Sequence, residues 1–356
     1  MKKLRVVVLG TGNVSSYAVQ AITGRPDMEI VGVWAHKETA GDMIGKDAGE
    51  LRGGSGPIGV SITGEVDDLL ALKPDCVLIG INIPNMDDVA VPMLEPFLRA
   101  GANVVGTTLA MIYPPAHANK GSVARLQKAA EEGGASMYIS GIHPGFACDH
   151  LPAMILTCAN KVESVSAFEL FNFSQAPNEW EMRDGRGFGM PMDFKPLSDN
   201  PGFMIATWGP CVEYLAAALG YKVERFVTKY DKFLTDRDLQ VGYGTIKAGT
   251  VGAVRLEVTG YIDGREAITV GSVNRMANDL APDWPIGPSE AMYRISVKGS
   301  PNLDCDFIFD RNDGAYGYSA VALRAANAIP YVCDAKPGLL TSLDLPLTLP
   351  HGAFRG

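Results

Sequence analysis

Residues 4–16 read Leu4-Arg5-Val6-Val7-Val8-Leu9-Gly10-Thr11-Gly12-Asn13-Val14-Ser15-Ser16, an apolar strand that runs straight into a glycine turn and then into a helical pattern. This order constrains the fold, because a buried strand feeding a helix through such a turn is how a dinucleotide-binding domain begins. Gly10 allows the tight turn and Gly12 lets the backbone approach a pyrophosphate. Asn13 and Val14 open the helix, whose free N–H groups and dipole favour an anion. Ser15 stands where the fingerprint has its third glycine and is small enough for close helix–strand packing. The plainer reading of the same residues is an ordinary βα turn.

The second strand, Glu29–Ala35, ends in Ala35-His36-Lys37, and the nearest acid is Glu38. A site selective for NAD places Asp or Glu at the end of this strand, on the ribose hydroxyls, whereas a 2′-phosphate wants cationic donors and no carboxylate. The expected cofactor is therefore NADP(H) in preference to NAD(H), which is possible, with Lys37 and His36 as the phosphate contacts. The alternative is that Lys37 is a solvated loop residue and both cofactors are accepted.

Composition narrows the class. A chain of 356 residues with 47% hydrophobic and 20% charged residues is an ordinary globular protein, too long for one small core. Its formal net charge of −9, without a basic cluster, argues against nucleic acid or an anionic membrane as partner. Met1-Lys2-Lys3 leads directly into the first strand, which leaves no room for a signal peptide, and no apolar run reaches membrane-spanning length. A cytoplasmic protein is expected. The six cysteines show no paired spacing, which predicts buried thiols in place of disulfides or a metal site.

Strand-like and helix-like runs alternate through the first part of the chain: strands near Arg5–Leu9, Glu29–Ala35, Val60–Ile62, Asp75–Ile81, Asn103–Thr107 and Ser136–Ile142, helices at Val14–Thr23, Val66–Leu72, Val89–Ala100 and Ser122–Glu132. That alternation predicts a doubly wound parallel sheet, an α/β Rossmann domain over residues 1–146. Farther on, Val254, Leu256 and Val258 alternate with polar residues, Asp263-Gly264 supplies a hairpin turn, and the two-residue period returns at Tyr293, Ile295 and Val297 and at Leu303, Cys305 and Phe307. These predict an α+β substrate-binding and dimerisation domain with an antiparallel sheet over residues 147–315, with the helical run Met204–Leu219 on one side. Residues 316–356 read as a helix, Ser319–Asn327, and an extended tail that returns to the Rossmann domain. The uncovered sheet face predicts a homodimer.

Several short motifs carry a resemblance: Gly10-Thr11-Gly12-Asn13-Val14, Gly45-Lys46-Asp47-Ala48-Gly49-Glu50-Leu51, Ser140-Gly141-Ile142-His143-Pro144-Gly145-Phe146, Ala325-Ala326-Asn327-Ala328-Ile329-Pro330 and Leu343-Asp344-Leu345-Pro346. Together they resemble the dihydrodipicolinate-reductase-like group that includes 2,4-diaminopentanoate dehydrogenase and the native amine dehydrogenases. The His-His pair and the Lys before a Pro-Ser-Gly-Thr turn of the true dihydrodipicolinate reductases do not occur. In the amine dehydrogenases a glutamate a few residues before a Tyr-Pro pair polarises the amine or iminium, and here Leu109 and Ala110 stand before Tyr113-Pro114. An apolar pair cannot stabilise a developing cation or accept a proton.

Replacement groups are sought at strand ends. Thr107 and Thr108 end the fifth strand, and His143 ends the sixth, an imidazole being a side chain suited to proton transfer. Tyr138 and Tyr113 are possible proton donors. The plainer roles are backbone-bonded hydroxyls for the threonines, a turn residue for His143 and packed side chains for the tyrosines. Asn82 and Thr107 complete the cofactor set, and Asp149 reads as a helix cap. The loop Asn178–Met192, mixing Trp180, Met182, Phe188 and Met190 with glycines, suits either a lid over an apolar pocket or a dimer contact.

The expected activity is NAD(P)H-dependent hydride transfer to a C=O or C=N group of a small, mostly apolar substrate. Two alternatives stand beside it: a carbonyl or alcohol oxidoreductase without amination, and a non-catalytic dinucleotide sensor.

Overall fold

The apolar run at the start of the chain becomes a central strand, β1 (Leu4–Leu9), in which Val6, Val7, Val8 and Leu9 are wholly buried. A strand apolar at every successive position is covered on both faces, and its neighbours follow the same rule. The structure, a computed structural model, describes residues 2–81, 86–108, 120–309 and 317–354. It divides into two compact units, Met1–Gly145 with Ala315–Gly356, and Phe146–Gly314. Asn82, Asn85, Leu109, Ala110 and Tyr113 lie outside the described residues.

In the first unit, strands β2 (Met28–Trp34), β3 (Ile62–Thr63), β4 (Cys76–Ile79), β5 (Asn103–Gly106), β6 (Ser136–Ile139) and β15 (Gly338–Leu340) join β1. They form a seven-stranded sheet in the order β15-β6-β5-β4-β1-β2-β3, with every pairing parallel. The intervening helices are α1 (Asn13–Ile22), α2 (Val66–Ala71), α3 (Met86–Arg99) and α4 (Lys120–Gly133), and α7 (Tyr318–Cys333) precedes β15. Chain order reverses between β1 and β4, which makes their carboxyl ends the switch point of the sheet.

Ala18, Val19 and Ile22 of α1 share one core cluster with Ala322, Ala325, Ala326 and Ile329 of α7. The buried Arg25 guanidinium fastens the start of β2 to α7, donating to the Asp27 carboxylate at 2.9 and 2.8 Å and to Asn327 at 2.8 Å. The last helix does not stop at Asn327 as its proline predicts. Pro330 is accommodated inside α7, where the burial of Ile329 and Val332 outweighs one missing N–H bond near the helix end.

The second unit opens with α5 (His150–Leu156) and β7 (Lys161–Asn172), then α6 (Pro201–Ala218), β8 (Arg225–Leu234), β9 (Leu239–Val241), β10 (Gly244–Ile246), β11 (Val251–Ile262), β12 (Arg265–Arg275), β13 (Ala291–Ser300) and β14 (Leu303–Ile308). β9 and β10 pair as a small ribbon, and the main sheet has six strands in the order β14-β13-β7-β12-β11-β8. It is mixed, not purely antiparallel, because β7 pairs with β12 in parallel. The β11–β12 hairpin turns at Asp263 and Gly264, both at positive φ, 51° and 72°. α6 covers one face: a Cβ on Gly260 of β11 would lie 2.5 Å from the Val212 side chain. Alternation then places Arg255, Glu257 and Thr259 on the opposite face.

The Asn178–Met192 loop is anchored where a lid would be free. Met182 and Phe188 are buried in a cluster with Leu239, Ile246 and Val251, with one wide helical turn over Glu181–Gly185, while Trp180 stays exposed. Cys76, Cys148 and Cys211 are buried, Cys305 and Cys333 are half-buried, and Cys158 is exposed, which departs from the expectation for that residue. Among the described residues no helix is long and apolar enough to cross a membrane.

Candidate functional site

At the end of β1 the chain turns through Gly10, whose φ of +117° an L side chain rarely adopts, and whose Cβ would lie 2.7 Å from Ser15 Oγ. Ser15, in the place of the third glycine, fills the space between Gly10 and Gly80 and donates its hydroxyl to the Gly80 carbonyl at 3.3 Å. The helix start is left open. Gly12 caps α1 without a side-chain hydrogen bond, there is no acid in the first turn, and a Cβ on Gly12 would meet nothing within 4 Å. Uncapped N–H groups, a favourable dipole and free space above the backbone suit a pyrophosphate, so the residues present fit a dinucleotide.

Thr107 and His143 sit along the same edge of the sheet. β5 lies two strand spacings from β1 and β6 three, about 10 and 14 Å at the usual ~4.8 Å per strand, which is the scale separating a dinucleotide's pyrophosphate from its nicotinamide. The two threonines differ. Thr108 is buried and its hydroxyl donates to the Ile81 carbonyl at 2.8 Å, a backbone tie. Thr107 is half-buried, and its hydroxyl makes no hydrogen bond among the described residues.

His143 belongs to a turn that closes on itself: Ser140 N–H donates to the Gly106 carbonyl at 2.7 Å, and a Cβ on Gly145 (φ +121°) would lie 2.2 Å from Gly141 N. The turn presents a half-buried imidazole at the carboxyl end of β6, with Nε2 shielded from solvent.

Tyr138 points elsewhere. It is fully buried, its hydroxyl is 2.7 Å from Ser342 Oγ, and Arg324 Nη2 donates to it at 3.4 Å. These contacts tie β6 to the C-terminal tail and give it a packing role in place of the proton-donor role considered above. Lys37 is an exposed ion-pair partner of Glu65. His36 is half-buried edge-on to Trp34, ring centroids 5.8 Å apart, and its Nδ1 is shielded from solvent without a partner among the described residues. Asp149 caps α5 by accepting from the His150 N–H, as expected, and also accepts from Cys211 Sγ at 3.5 Å.

The second unit holds a polar network that the sequence did not reveal. On the sheet face that carries α6, Glu169 of β7 accepts from Asn274 Nδ2 at 3.0 Å and from the Tyr293 hydroxyl at 2.9 Å, and Asn274 Oδ1 accepts from Arg186 Nη1 at 2.9 Å. Tyr293 lies opposite Glu169 in the β7–β13 register. Burial, and then the Glu169 charge, push the Tyr293 hydroxyl well above its ordinary pKa, so it keeps its proton. The missed signal is the strand itself: β7 carries its polar residues among apolar ones without the clean alternation of β11.

The family model for the 2,4-diaminopentanoate dehydrogenase C-terminal domain matches residues 146–353. An amine dehydrogenase of Streptomyces virginiae is 29% identical over 350 residues, 97% of this chain and 96% of that one. A 2,4-diaminopentanoate dehydrogenase of Acetoanaerobium sticklandii is 24% identical over 351 residues, 98% and 94% of the two chains. The solved amine dehydrogenase from Mycobacterium smegmatis superposes with a TM-score of 0.77 at 20% identity, covering 98% of this chain and 97% of that one. That likeness is one of fold.

The packing role of Tyr138 is testable. Tyr138→Phe is expected to lower the unfolding free energy by about 1 kcal/mol, read from the denaturant midpoint, with dinucleotide affinity unchanged.

Proposed function

The chain belongs to the 2,4-diaminopentanoate dehydrogenase family, and from that premise we propose the reaction it carries out and the residues that support it. It is an NAD(P)-dependent oxidoreductase of amine-dehydrogenase-like type. Its reaction is hydride transfer to the C=O or C=N carbon of a small, mostly apolar substrate. When bound, the nicotinamide supplies the hydride chemistry at its C4. The protein's part is to bind, orient and exclude water.

The observation that carries this reading is the edge formed by the carboxyl ends of β1, β5 and β6: an open glycine turn, then Thr107, then His143. Gly10, Gly12, Asn13 and Val14 hold the phosphates. Thr107, with its hydroxyl uncommitted among the described residues, orients the carboxamide or substrate, and His143 holds or moves a proton. Thr108 supports the strand end through its bond to Ile81. His143→Ala is expected to lower turnover by roughly a hundred- to ten-thousand-fold, with NADPH affinity unchanged by fluorescence titration.

A second reading, carbonyl reduction without amination, is favoured by Leu109-Ala110, where the amine dehydrogenases it resembles place a glutamate. A cationic intermediate without a nearby carboxylate is costly. A panel of ketones and aldehydes with NADPH, with and without ammonium, separates the two. The expected outcome is turnover with weak ammonium dependence; where the glutamate has merely been lost, Leu109→Glu or Ala110→Glu raises it, and where His143 has taken over its work, they change it little. Strong ammonium dependence in the unmodified protein would overturn it and turn attention to Glu169, Glu179 and Glu181.

NADP(H) is the proposed preferred cofactor, supported by the absence of an acid at Ala35 and by the shielded His36 Nδ1. Titrations should show tighter binding of NADPH than of NADH, with Lys37→Ala weakening NADPH more; equal affinities would defeat the assignment.

A homodimer is proposed through the sheet face opposite α6. Val227 and Phe233, on that face by register, are 40% and 36% exposed, leaving apolar surface for a second copy to cover. Light scattering at micromolar concentration should give twice the chain mass of 37.9 kDa.

A further inference from the structure

The segment after β2 contains Gly45-Lys46-Asp47-Ala48-Gly49-Glu50-Leu51-Arg52, a motif to which the proposed reaction gives no task. We propose that this loop is a phosphate clamp for the dinucleotide and that Arg52 is its contacting group. The proposal rests on the dinucleotide reading above and adds a residue that the glycine fingerprint does not contain.

The loop is built to hold one residue still. Asp47 accepts N–H groups from Gly49 at 2.8 Å, Ile58 at 2.8 Å and Gly59 at 2.7 Å, cinching the two ends of the loop together. Those backbone donors, Ile58 foremost, hold its carboxyl below the usual carboxylate range, so the belt stays ionised. Inside the loop the backbone strands touch: a Cβ on Gly49 would lie 2.1 Å from the Gly56 carbonyl, and one on Gly54 would lie 1.9 Å from the Gly49 carbonyl. Ala48 and Leu51 are buried in the core cluster that includes Ala18 and Val19 of α1. From the helix, Gln20 Nε2 donates to the Arg52 carbonyl at 2.5 Å. The main chain at residue 52 is thus fixed against the flank of α1 before any ligand arrives, which lowers the ordering cost of binding.

The side chain then returns to the start of that helix. Arg52 Nη1 donates to Asn13 Oδ1 at 2.9 Å, and Asn13 is the first residue of α1. Asn13 is neutral, so the guanidinium is positioned without being neutralised. Among the described residues no carboxylate lies within ion-pair distance of Arg52, whereas Arg5, Arg25, Lys37 and Lys46 of the same unit are paired with Glu29, Asp27, Glu65 and Asp42. A lone guanidinium held beside uncapped helix N–H groups, in a chain of net charge −9, matches a dinucleotide phosphate. The remaining donors of the fork can take two phosphate oxygens while Nη1 keeps its tie to Asn13.

Fluorescence titration of NADPH and of NADH against the unmodified protein, Arg52→Ala and Arg52→Lys tests this. Arg52→Ala should raise the dissociation constant roughly 10- to 100-fold, the range for a hydrogen-bonded charged contact, and Arg52→Lys should fall between the two. Equal loss for both cofactors assigns the pyrophosphate, and loss confined to NADPH assigns the 2′-phosphate. Tight binding by the unmodified protein with no change in Arg52→Ala would overturn the clamp and leave the dinucleotide reading intact. Failure of the unmodified protein to bind either cofactor would overturn both. The denaturant midpoint of each variant separates loss of contact from loss of fold, and if Arg52→Ala unfolds the loop, an unaltered affinity in Arg52→Lys overturns the clamp.

Discussion

The close approach of α1 to the carboxyl ends of β1 and β4 is the constraint on which the first unit depends. Ser15 occupies a space bounded by Gly10 and Gly80 in which a Cβ on either glycine would come within 2.7 Å of its hydroxyl oxygen. A larger residue at any of the three positions would push the helix off the sheet. The exchange of a third glycine for serine keeps that approach and adds a bond from the hydroxyl to the Gly80 carbonyl. The helix start is thereby fixed at the switch point between β1 and β4, where its dipole and free N–H groups face the space above Gly12. A phosphate site built from main chain needs this precision, because nothing in a backbone donor can adjust its reach.

The polar groups divide by how completely their bonding is already used. Thr108, Tyr138, Asp149 and Arg25 each spend their donors or acceptors on neighbours within their own unit, which makes them fasteners. Glu169, Asn274, Tyr293 and Arg186 are joined by three side-chain hydrogen bonds, while Arg186 Nε is shielded from solvent without a hydrogen-bond partner among the described residues. Tyr293 keeps its proton beside Glu169 because burial, and then the neighbouring Glu169 charge, penalise the phenolate.

The first unit was largely legible because each of its strands is short, apolar and flanked by glycine or a helix period, so β1, β2, β4 and β5 fall within a few residues of their expected places. The hairpin at Asp263-Gly264 was legible for a local reason, two residues that tolerate positive φ. What failed depended on tertiary context. β7 and β8 mix polar and apolar residues on both faces, so periodicity did not mark them, and without β7 the parallel pairing with β12 had no trace in the sequence. Met182 and Phe188 suited either a lid over an apolar pocket or a dimer contact, but both are buried in a core cluster of their own unit, since composition does not say which way a side chain turns. Pro330 looked like a helix end, yet packing on both sides of it carried the helix onward.

The cofactor question turns on similar competition. Lys37 is held by Glu65, but both partners are well exposed, and such a pair contributes no more than about 1 kcal/mol. A 2′-phosphate carries more charge and more acceptor oxygens than a carboxylate, so the ammonium can exchange partners at little cost. His36 adds a second bias, for its Nδ1 is shielded from water without a partner among the described residues, and a shielded polar atom left that way costs about 1–3 kcal/mol. An acceptor arriving at the end of β2 would relieve that cost. An acid at Ala35 would have opposed the same acceptor by like-charge repulsion, and the chain has none there. The proposed preference for NADP(H) thus rests less on the strength of any one basic contact than on an imidazole nitrogen without a partner among the described residues and a missing carboxylate.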